Sequence, residues 1–155
     1  MKMSLLKCLV WPVVMYGCEA WTLRKEERDR LNAAEMWFYR RLLRVSWKDM
    51  RTNESILEEL STNRVLMQQI NRRKMRYLGH AVRNPKTNLM ATILQGRVEG
   101  KRNRGRPQTL YMDNVTAISG FTLAGMMHRS RNQEDWRTVV ARSEAATDEH
   151  GDADR

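Results

Sequence analysis

The chain has 155 residues, a formal net charge of +10 and a mean hydropathy of −0.68. This length predicts one domain, and the 41% of hydrophobic residues are enough for a modest core. With three Pro and eight Gly, the composition excludes a Pro/Gly-rich low-complexity chain.

Positive charge is concentrated in the middle of the chain. The segment from Arg64 to Pro107 holds twelve Lys and Arg but one acidic residue, Glu99, which leaves 16 basic and 17 acidic residues elsewhere. A solvated surface normally mixes both signs to limit self-repulsion, so a block of one sign favours a polyanionic partner. Because Arg dominates the block and its fork matches phosphates and base edges, we expect RNA or DNA rather than a membrane.

Metal and enzyme chemistry have little support. Cys8 and Cys18 are too few for a disulfide framework, and the three His residues show no metal-ligand spacing. We therefore predict no metal site and no cofactor. Between Glu59 and Asp113 the single acid is Glu99, so the carboxylate cluster of two-metal enzymes is missing. No nucleotide-binding or nucleophile motif occurs, and we predict that the chain is not an enzyme.

The N-terminal segment has Lys2 and Lys7 around the start of an apolar run from Cys8 to Gly17. Such a start resembles a signal peptide, but Pro12 interrupts the run, which is too short to span a bilayer. We expect a buried helix bent at Pro12, in an intracellular protein of the nucleus or cytoplasm.

A longer helix is expected to begin at Leu23, with Thr22 as its cap and acidic Glu26 and Glu27 in its first turn. Apolar residues at helical spacing predict one buried face. The members of that face are Leu31, Ala34, Phe38, Leu42 and Val45.

Beside this face, an aromatic residue and several basic residues recur at the same spacing. Such a ladder suits a phosphate track with a stacking platform. An equally open alternative is that the aromatic residue belongs to the core and the cations are solvated. The residues of the ladder are Trp37, Arg40, Arg41, Arg44 and Lys48.

Two further helices are predicted before residue 84. Residues 46–51 indicate a turn, and Thr52 is expected to cap a short helix. Residues 61–63 offer another cap, for a helix from Arg64 to about Val82 that ends at Asn84-Pro85. Its apolar stripe comprises Leu66, Ile70, Tyr77, Leu78 and Ala81, and its basic faces carry Arg72, Arg73, Lys74 and Arg76.

We predict specific roles for two residues of this helix. Tyr77 is a second candidate for stacking on exposed bases, in addition to Trp37. His80, near the C-terminal end, is a candidate for contact with a backbone carbonyl or a phosphate, although packing is its expected role.

From Leu89 to Gln108 glycines break any helix, and Lys101, Arg102, Arg104 and Arg106 follow one another closely. Arg104-Gly105-Arg106-Pro107 is the core of the AT-hook, in which glycine lets the backbone approach the minor-groove floor. We expect this arm to bind nucleic-acid backbone.

The C-terminal part predicts two short helices with an apolar segment between them. The first helix runs from Leu110 to near Gly120, and the apolar segment runs from Phe121 to Met127. The second helix runs from about Asn132 to Ala141, and its expected buried residues are Trp136, Val139 and Val140. Residues 146–155 are expected to be a disordered tail.

Several motifs resemble, in order, the region after the palm in non-LTR (LINE-like) retrotransposon reverse transcriptases. They span about residues 5–142. They are Tyr16-Gly17-Cys18-Glu19-Ala20-Trp21-Thr22-Leu23, residues 38–49, Thr52-Asn53-Glu54, Arg76-Tyr77-Leu78-Gly79-His80, residues 96–102, Arg104-Gly105-Arg106-Pro107 and Asp135-Trp136-Arg137.

The resemblance implies a thumb and C-terminal extension whose Arg side chains contact a template–primer duplex or target DNA. The fingers and palm, with their metal-binding aspartates, are not present here, so polymerase activity is not implied. The remainder of a reverse transcriptase is an implied partner.

Together these observations predict a mostly α fold: a helical thumb-like region at 1–84, a basic arm at 85–108, a helical segment at 109–145 and the tail. The expected nucleic-acid-binding residues are Trp37, Arg40, Arg41, Arg44, Arg72, Arg73, Lys74, Arg76, Tyr77, Lys101, Arg102, Arg104 and Arg106. Two alternatives stay open: a stand-alone AT-hook-like DNA-binding protein, and a non-functional remnant of a decayed mobile element.

Overall fold

The structure, a computed structural model, describes residues 2–84 and 111–145, with the side chains of the latter range described up to residue 142. These residues are mostly helical, with no strand among them, which confirms the predicted mostly α fold. The α-helices in this part of the chain are α1 (Lys2–Leu5), α2 (Trp11–Val14), α3 (Lys25–Leu43), α4 (Asn53–Glu59), α5 (Leu66–Arg83), α6 (Tyr111–Ser119), α7 (Leu123–Arg131) and α8 (Gln133–Ala145).

The chain divides into two compact units, where its length predicted one domain. The first unit combines the residues up to Gly17 with Leu23–Ile70, and the second combines Cys18–Thr22 with the residues from Asn71 onward. Helix α5 contributes Leu66–Ile70 to the first unit and its residues from Asn71 to the second.

The N-terminal helix is distorted before its proline and is buried on one face. A π-helical turn, Leu6–Val10, joins α1 to α2, and the Trp11 backbone N–H donates to the Leu6 carbonyl. Pro12 has no N–H with which to continue the α-helical ladder, and the wider turn precedes it.

The expectation that this helix is buried is correct for Leu6, Trp11 and Met15, and wrong for its other face. That face exposes a row of large apolar side chains. They are Leu5 (54%), Leu9 (65%), Val13 (74%) and Tyr16 (85%).

Helix α3 begins later than predicted. Its N-cap is Arg24, whose backbone N–H donates to the Glu27 carboxylate at 2.7 Å, whereas Leu23 is buried before the helix begins. The expected Thr22 cap is therefore wrong. The acidic first turn is confirmed, because Glu26 and Glu27 both occupy it.

The most deeply buried residues of α3 are Glu35, Met36 and Tyr39, and not the predicted apolar stripe, which is half-buried throughout. Trp11 packs edge-on against this face, with its ring centroid 5.6 Å from Phe38 and 6.3 Å from Tyr39. Edge-to-face packing of this kind adds to the free energy gained by burying the rings.

The buried carboxylate of Glu35 is stabilised in this core by three hydrogen bonds. Its Oε1 accepts hydrogen bonds from the Tyr39 hydroxyl (2.8 Å) and from the backbone N–H groups of Val65 (2.8 Å) and Leu66 (3.0 Å). The carboxylate thus caps the N-terminus of α5, whose first N–H groups have no partner within the helix. The predicted cap at residues 61–63 is replaced by this long-range one.

The predicted cap of the short helix α4 is confirmed. Thr52 is its N-cap, and the Thr52 Oγ1 accepts from the Ser55 backbone N–H at 3.3 Å, as predicted. The preceding turn contains a short 3₁₀ segment, Trp47–Asp49, capped by Ser46.

The core of the second unit joins α5 to the C-terminal helices. The Trp136 indole Nε1 donates to the Met75 carbonyl at 2.8 Å, and Trp136 is 2% exposed. Gly79 lies against the same ring, where any Cβ would overlap the indole Nε1 and Cδ1. The buried cluster is Met75, Leu78, Met112, Val115, Met126, Trp136, Val139 and Val140.

The two predicted C-terminal helices are confirmed with shifted ends, and the apolar segment between them forms a third helix, α7. Gly120 follows α6 at a φ of +69°, a conformation that favours glycine. Thr122 caps α7 by accepting from the Gly125 backbone N–H at 3.3 Å. The predicted burial of Trp136, Val139 and Val140 is also confirmed.

Candidate nucleic-acid interface

One face of α5 presents basic side chains at successive helical turns. Arg72, Arg76 and His80 follow one another at intervals of four residues, and all three are exposed. Residues at this spacing lie on the same side of a helix. No Asp or Glu occurs in α5, so within the helix nothing offsets this charge. His80 was expected to serve packing, and its exposure corrects that expectation.

Arg73 lies at the edge of the same face and is half-buried. Its Nη1 is 3.9 Å from the Glu19 Oε1, an ion pair longer than a hydrogen bond. Glu19 comes from the 3₁₀ turn Cys18–Ala20, which also buries the Cys18 thiol. Burial raises the pKa of Cys18 and the Glu19 carboxylate adds to this shift, while the Arg73 and Lys74 charges oppose it.

Lys74 is not part of the surface, which corrects its prediction as a phosphate contact. The side chain is 1% exposed, and its Nζ donates to the Asn114 Oδ1 at 3.3 Å. The same Nζ lies 5.4 Å from the centroid of the Tyr111 ring, within cation–π range. A cation held between an amide and an aromatic face stabilises the join between α5 and α6 and cannot reach a phosphate.

Tyr77 contributes to a groove and not to the core. It was assigned both to the apolar stripe and to base stacking, and the structure leaves it half-buried. An open groove of about 420 Å³ is lined by Glu19, Arg73, Arg76, Tyr77 and His80. This places an aromatic ring, two guanidinium groups and one carboxylate around a single space in the second unit.

In the first unit, Trp37 is 57% exposed, so the alternative that it belongs to the core is wrong. The Arg41 guanidinium carbon lies 6.0 Å from the centroid of the indole ring. Arg41 and Arg44 are both exposed at the end of α3. An exposed indole beside exposed arginines keeps the predicted stacking platform geometrically available.

Arg40 has a structural role, which corrects its place in the predicted ladder. Its Nη1 donates to the Asn53 Oδ1 at 2.8 Å and its Nη2 to the Arg51 carbonyl at 2.9 Å. The side chain is half-buried and ties the end of α3 to the start of α4. These contacts occupy the guanidinium face that a bidentate phosphate contact would need.

The sequence did not indicate Trp47 or Glu19 for these surfaces, and it favoured packing over phosphate contact for His80. Trp47 is 79% exposed, with the Lys48 Nζ 6.0 Å from its ring centroid. Glu19 and His80 enter the groove of the second unit. Periodicity could have flagged His80, which continues the Arg72 and Arg76 spacing, but no local signal brings Glu19 to α5.

The arm residues Lys101, Arg102, Arg104 and Arg106 lie outside the described residues, as do the arm at 85–108 and the tail. Among the residues that the structure describes, no group of three or more His, Cys, Asp or Glu could hold a metal ion. In the same part of the chain no helix has both the length and the apolar character to cross a membrane. No known protein family, curated protein or solved structure matches the chain.

Proposed function

We propose that this chain binds nucleic acid through its phosphate backbone, using the exposed basic face of α5 and, separately, the arginines at the end of α3. The observation that carries the proposal is the row formed by Arg72, Arg76 and His80 on a helix without acids. Phosphate contacts from Arg provide affinity with little sequence dependence. Trp37 in the first unit and Tyr77 in the second supply rings on which exposed bases could stack.

A salt titration tests this proposal. If about six phosphates are engaged, log K against log[salt] should slope near −4 to −5 between about 50 and 200 mM salt. Fluorescence anisotropy with labelled single-stranded RNA, single-stranded DNA and duplex DNA measures the slope for each substrate. A flat salt response for all three would overturn the proposal.

A charge-reversal pair locates the binding face. Arg72→Glu/Arg76→Glu should weaken binding at least tenfold and reduce the slope by about 0.7–0.9 for each phosphate that the variant no longer neutralises. The matched control is Arg30→Glu/Arg137→Glu, which changes net charge equally at two exposed mid-helix positions. Equal weakening in both variants would show that net charge, and not this face, governs binding. Vesicles of anionic lipid, to which the protein should not bind, exclude a membrane as the polyanion.

We propose further that the chain is the nucleic-acid-binding C-terminal portion of a reverse transcriptase-like polyprotein. The support is the ordered series of motifs, two of which meet in the contact between Gly79 and Trp136. The genomic sequence upstream of the Met1 codon tests this origin, because an open frame encoding a palm with paired aspartates is expected there. A cooperative thermal transition is also expected, whereas its absence would favour a decayed remnant.

The arm is tested separately. Arg104→Ala/Arg106→Ala should leave most of the backbone affinity in place if α5 and α3 carry it. A preference for A·T-rich duplex that disappears in this variant would instead favour the AT-hook alternative.

A further inference from the structure

The groove of the second unit contains a residue that phosphate binding does not explain. Arg73, Arg76 and His80 favour an anion, yet Glu19 lines the same space. A carboxylate beside the phosphate path repels the polyanion that its neighbours attract. Glu19 therefore offers hydrogen-bond acceptors that an ionised phosphate, which has no donor, cannot use.

Its ion pair with Arg73 is a weak explanation. The distance of 3.9 Å between Arg73 Nη1 and Glu19 Oε1 exceeds that of a charge-assisted hydrogen bond. The Glu19 side chain is 33% exposed, and that of Arg73 is 40% exposed, so solvent screens the attraction. A carboxylate is an acceptor with two oxygens, and a ligand with two neighbouring N–H donors would satisfy both.

The rest of the groove matches a nucleotide in size and chemistry. Its volume of about 420 Å³ lies within the range of ~300–1,000 Å³ for small-molecule sites. Tyr77 is half-buried and lines the groove, and the exposed Arg76 and His80 lie one turn apart beside it. One base and its phosphate need these three elements: a stacking surface, a cation and an edge partner.

We propose that this groove binds a single unpaired guanine nucleotide. Guanine alone among the common bases carries two adjacent N–H donors on its Watson–Crick edge, N1–H and N2–H, which would both donate to the Glu19 carboxylate. The base stacks on Tyr77, and its phosphate lies at Arg76 and His80. This inference rests on the proposed function, because it assigns the base that accompanies the backbone contacts of α5.

Binding of mononucleotides isolates the groove from the rest of the surface. Guanosine 5′-monophosphate should bind the full chain more tightly than inosine 5′-monophosphate, which lacks the N2 amine, and adenosine 5′-monophosphate. A difference of about tenfold between the guanine and adenine nucleotides is expected, from discrimination by a bidentate base contact. Isothermal titration calorimetry or NMR titration measures it. Equal affinities for the three nucleotides would overturn the proposal.

Variants separate base recognition from a structural role. Glu19→Gln keeps the size of the side chain but replaces one acceptor with a donor, so the guanine preference should disappear while affinity for adenosine 5′-monophosphate is retained or increased. Tyr77→Ala should weaken binding of all three nucleotides about tenfold, whereas Tyr77→Phe should retain their affinities. Thermal melts of each variant check folding. A Glu19→Gln variant that is folded and keeps the guanine preference would contradict the assignment.

Nucleotide binding in the groove and backbone binding by α5 can be tested independently. Arg72 does not line the groove, so its contribution to oligonucleotide binding is independent of Glu19. Salt-dependent binding that Arg72→Glu weakens, without any guanine preference, would reject the nucleotide site and retain the backbone proposal. Absence of both would reject both.

Discussion

The Glu35 carboxylate caps a helix that begins 31 positions later in the chain, because its Oε1 accepts the Leu66 backbone N–H at 3.0 Å. The residue is fully buried, and the same oxygen accepts from Val65 and from the Tyr39 hydroxyl. A negative charge at this place complements the positive end of the α5 dipole.

Glu35→Ala should therefore lower the free energy of unfolding by about 2 kcal/mol or more, since it leaves two buried donors and one part-buried donor without this acceptor. Urea denaturation followed by circular dichroism measures the change. Asp29→Ala, at an exposed position of the same helix, should stay within about 0.5 kcal/mol of the unsubstituted chain. Similar destabilisation of the two variants would show that Glu35 is not a cap.

Stability should fall at alkaline pH. Burial raises the pKa of Tyr39, and the adjacent Glu35 carboxylate raises it further; burial likewise raises the pKa of Tyr111. A raised pKa in the folded state means that the fold holds a proton that the unfolded chain releases. The contribution of these protonated tyrosines to the free energy of unfolding is complete below the ordinary tyrosine pKa of 10.0. It is lost as pH rises above that value.

Urea midpoints measured between about pH 8 and pH 11 test this expectation. This range begins about two units below the ordinary tyrosine pKa and ends about one unit above it. The midpoint should fall on the alkaline side, and Tyr39→Phe should make the decline shallower because it removes one of the two tyrosines whose pKa is raised. A Tyr16→Phe control, at a position 85% exposed, should follow the unsubstituted chain. A midpoint independent of pH would contradict the prediction.

Gly79→Ala should destabilise the second unit although alanine favours helix. The intrinsic preference gains about 1 kcal/mol, but the added methyl group overlaps the Trp136 indole, and overpacking of this kind costs about 1–3 kcal/mol. A thermal melt should show a net decrease in stability. A double-mutant cycle with Trp136→Leu tests the cause: the two effects should be less than additive, and strict additivity would place the strain elsewhere.

Two adjacent arginines of α3 should behave in opposite ways. Arg40→Met removes hydrogen bonds to Asn53 and to the Arg51 carbonyl, so stability should fall by about 1–2 kcal/mol with little change in the salt slope of nucleic-acid binding. Arg41→Met removes an exposed charge near Trp37, so stability should change by no more than about 0.5 kcal/mol while the slope decreases. Chemical denaturation measures the stability of both variants, and fluorescence anisotropy measures their salt slopes. The reverse pattern would show that Arg40, and not Arg41, contacts the nucleic acid.

Lys74 and Arg72 form a second such pair on α5. Lys74→Met should leave the salt slope unchanged because the ammonium group is buried against Asn114 and Tyr111. Arg72→Met should reduce the slope by about 0.7–0.9, the contribution of one phosphate. Equal slopes for both variants would remove Arg72 from the interface.

Sequence patterns succeeded where structure depends on near neighbours. Thr52 directly precedes its helix and accepts from Ser55, three residues further on, and the spacing of Trp136, Val139 and Val140 defines one helical face. Such features follow from local hydrogen bonding and from the period of the helix.

They failed where a distant residue decides the environment. A pattern of apolar residues cannot assign Glu35 to a core, because its partners are backbone groups of another helix. In the sequence, Lys74 cannot be distinguished from the other cations of the basic run. Its burial depends on contacts with Asn114 and Tyr111, which are distant in the chain. Glu19 gains a place beside α5 through tertiary structure alone.

The close approach of Gly79 to Trp136 also constrains how this chain can vary. In any related chain that keeps the fold, a side chain at position 79 together with a full indole at position 136 lowers stability. An alanine or serine at position 79 should therefore be accompanied by a smaller residue at position 136. This paired inheritance across 57 positions would be a signature of descent that a comparison of single motifs overlooks.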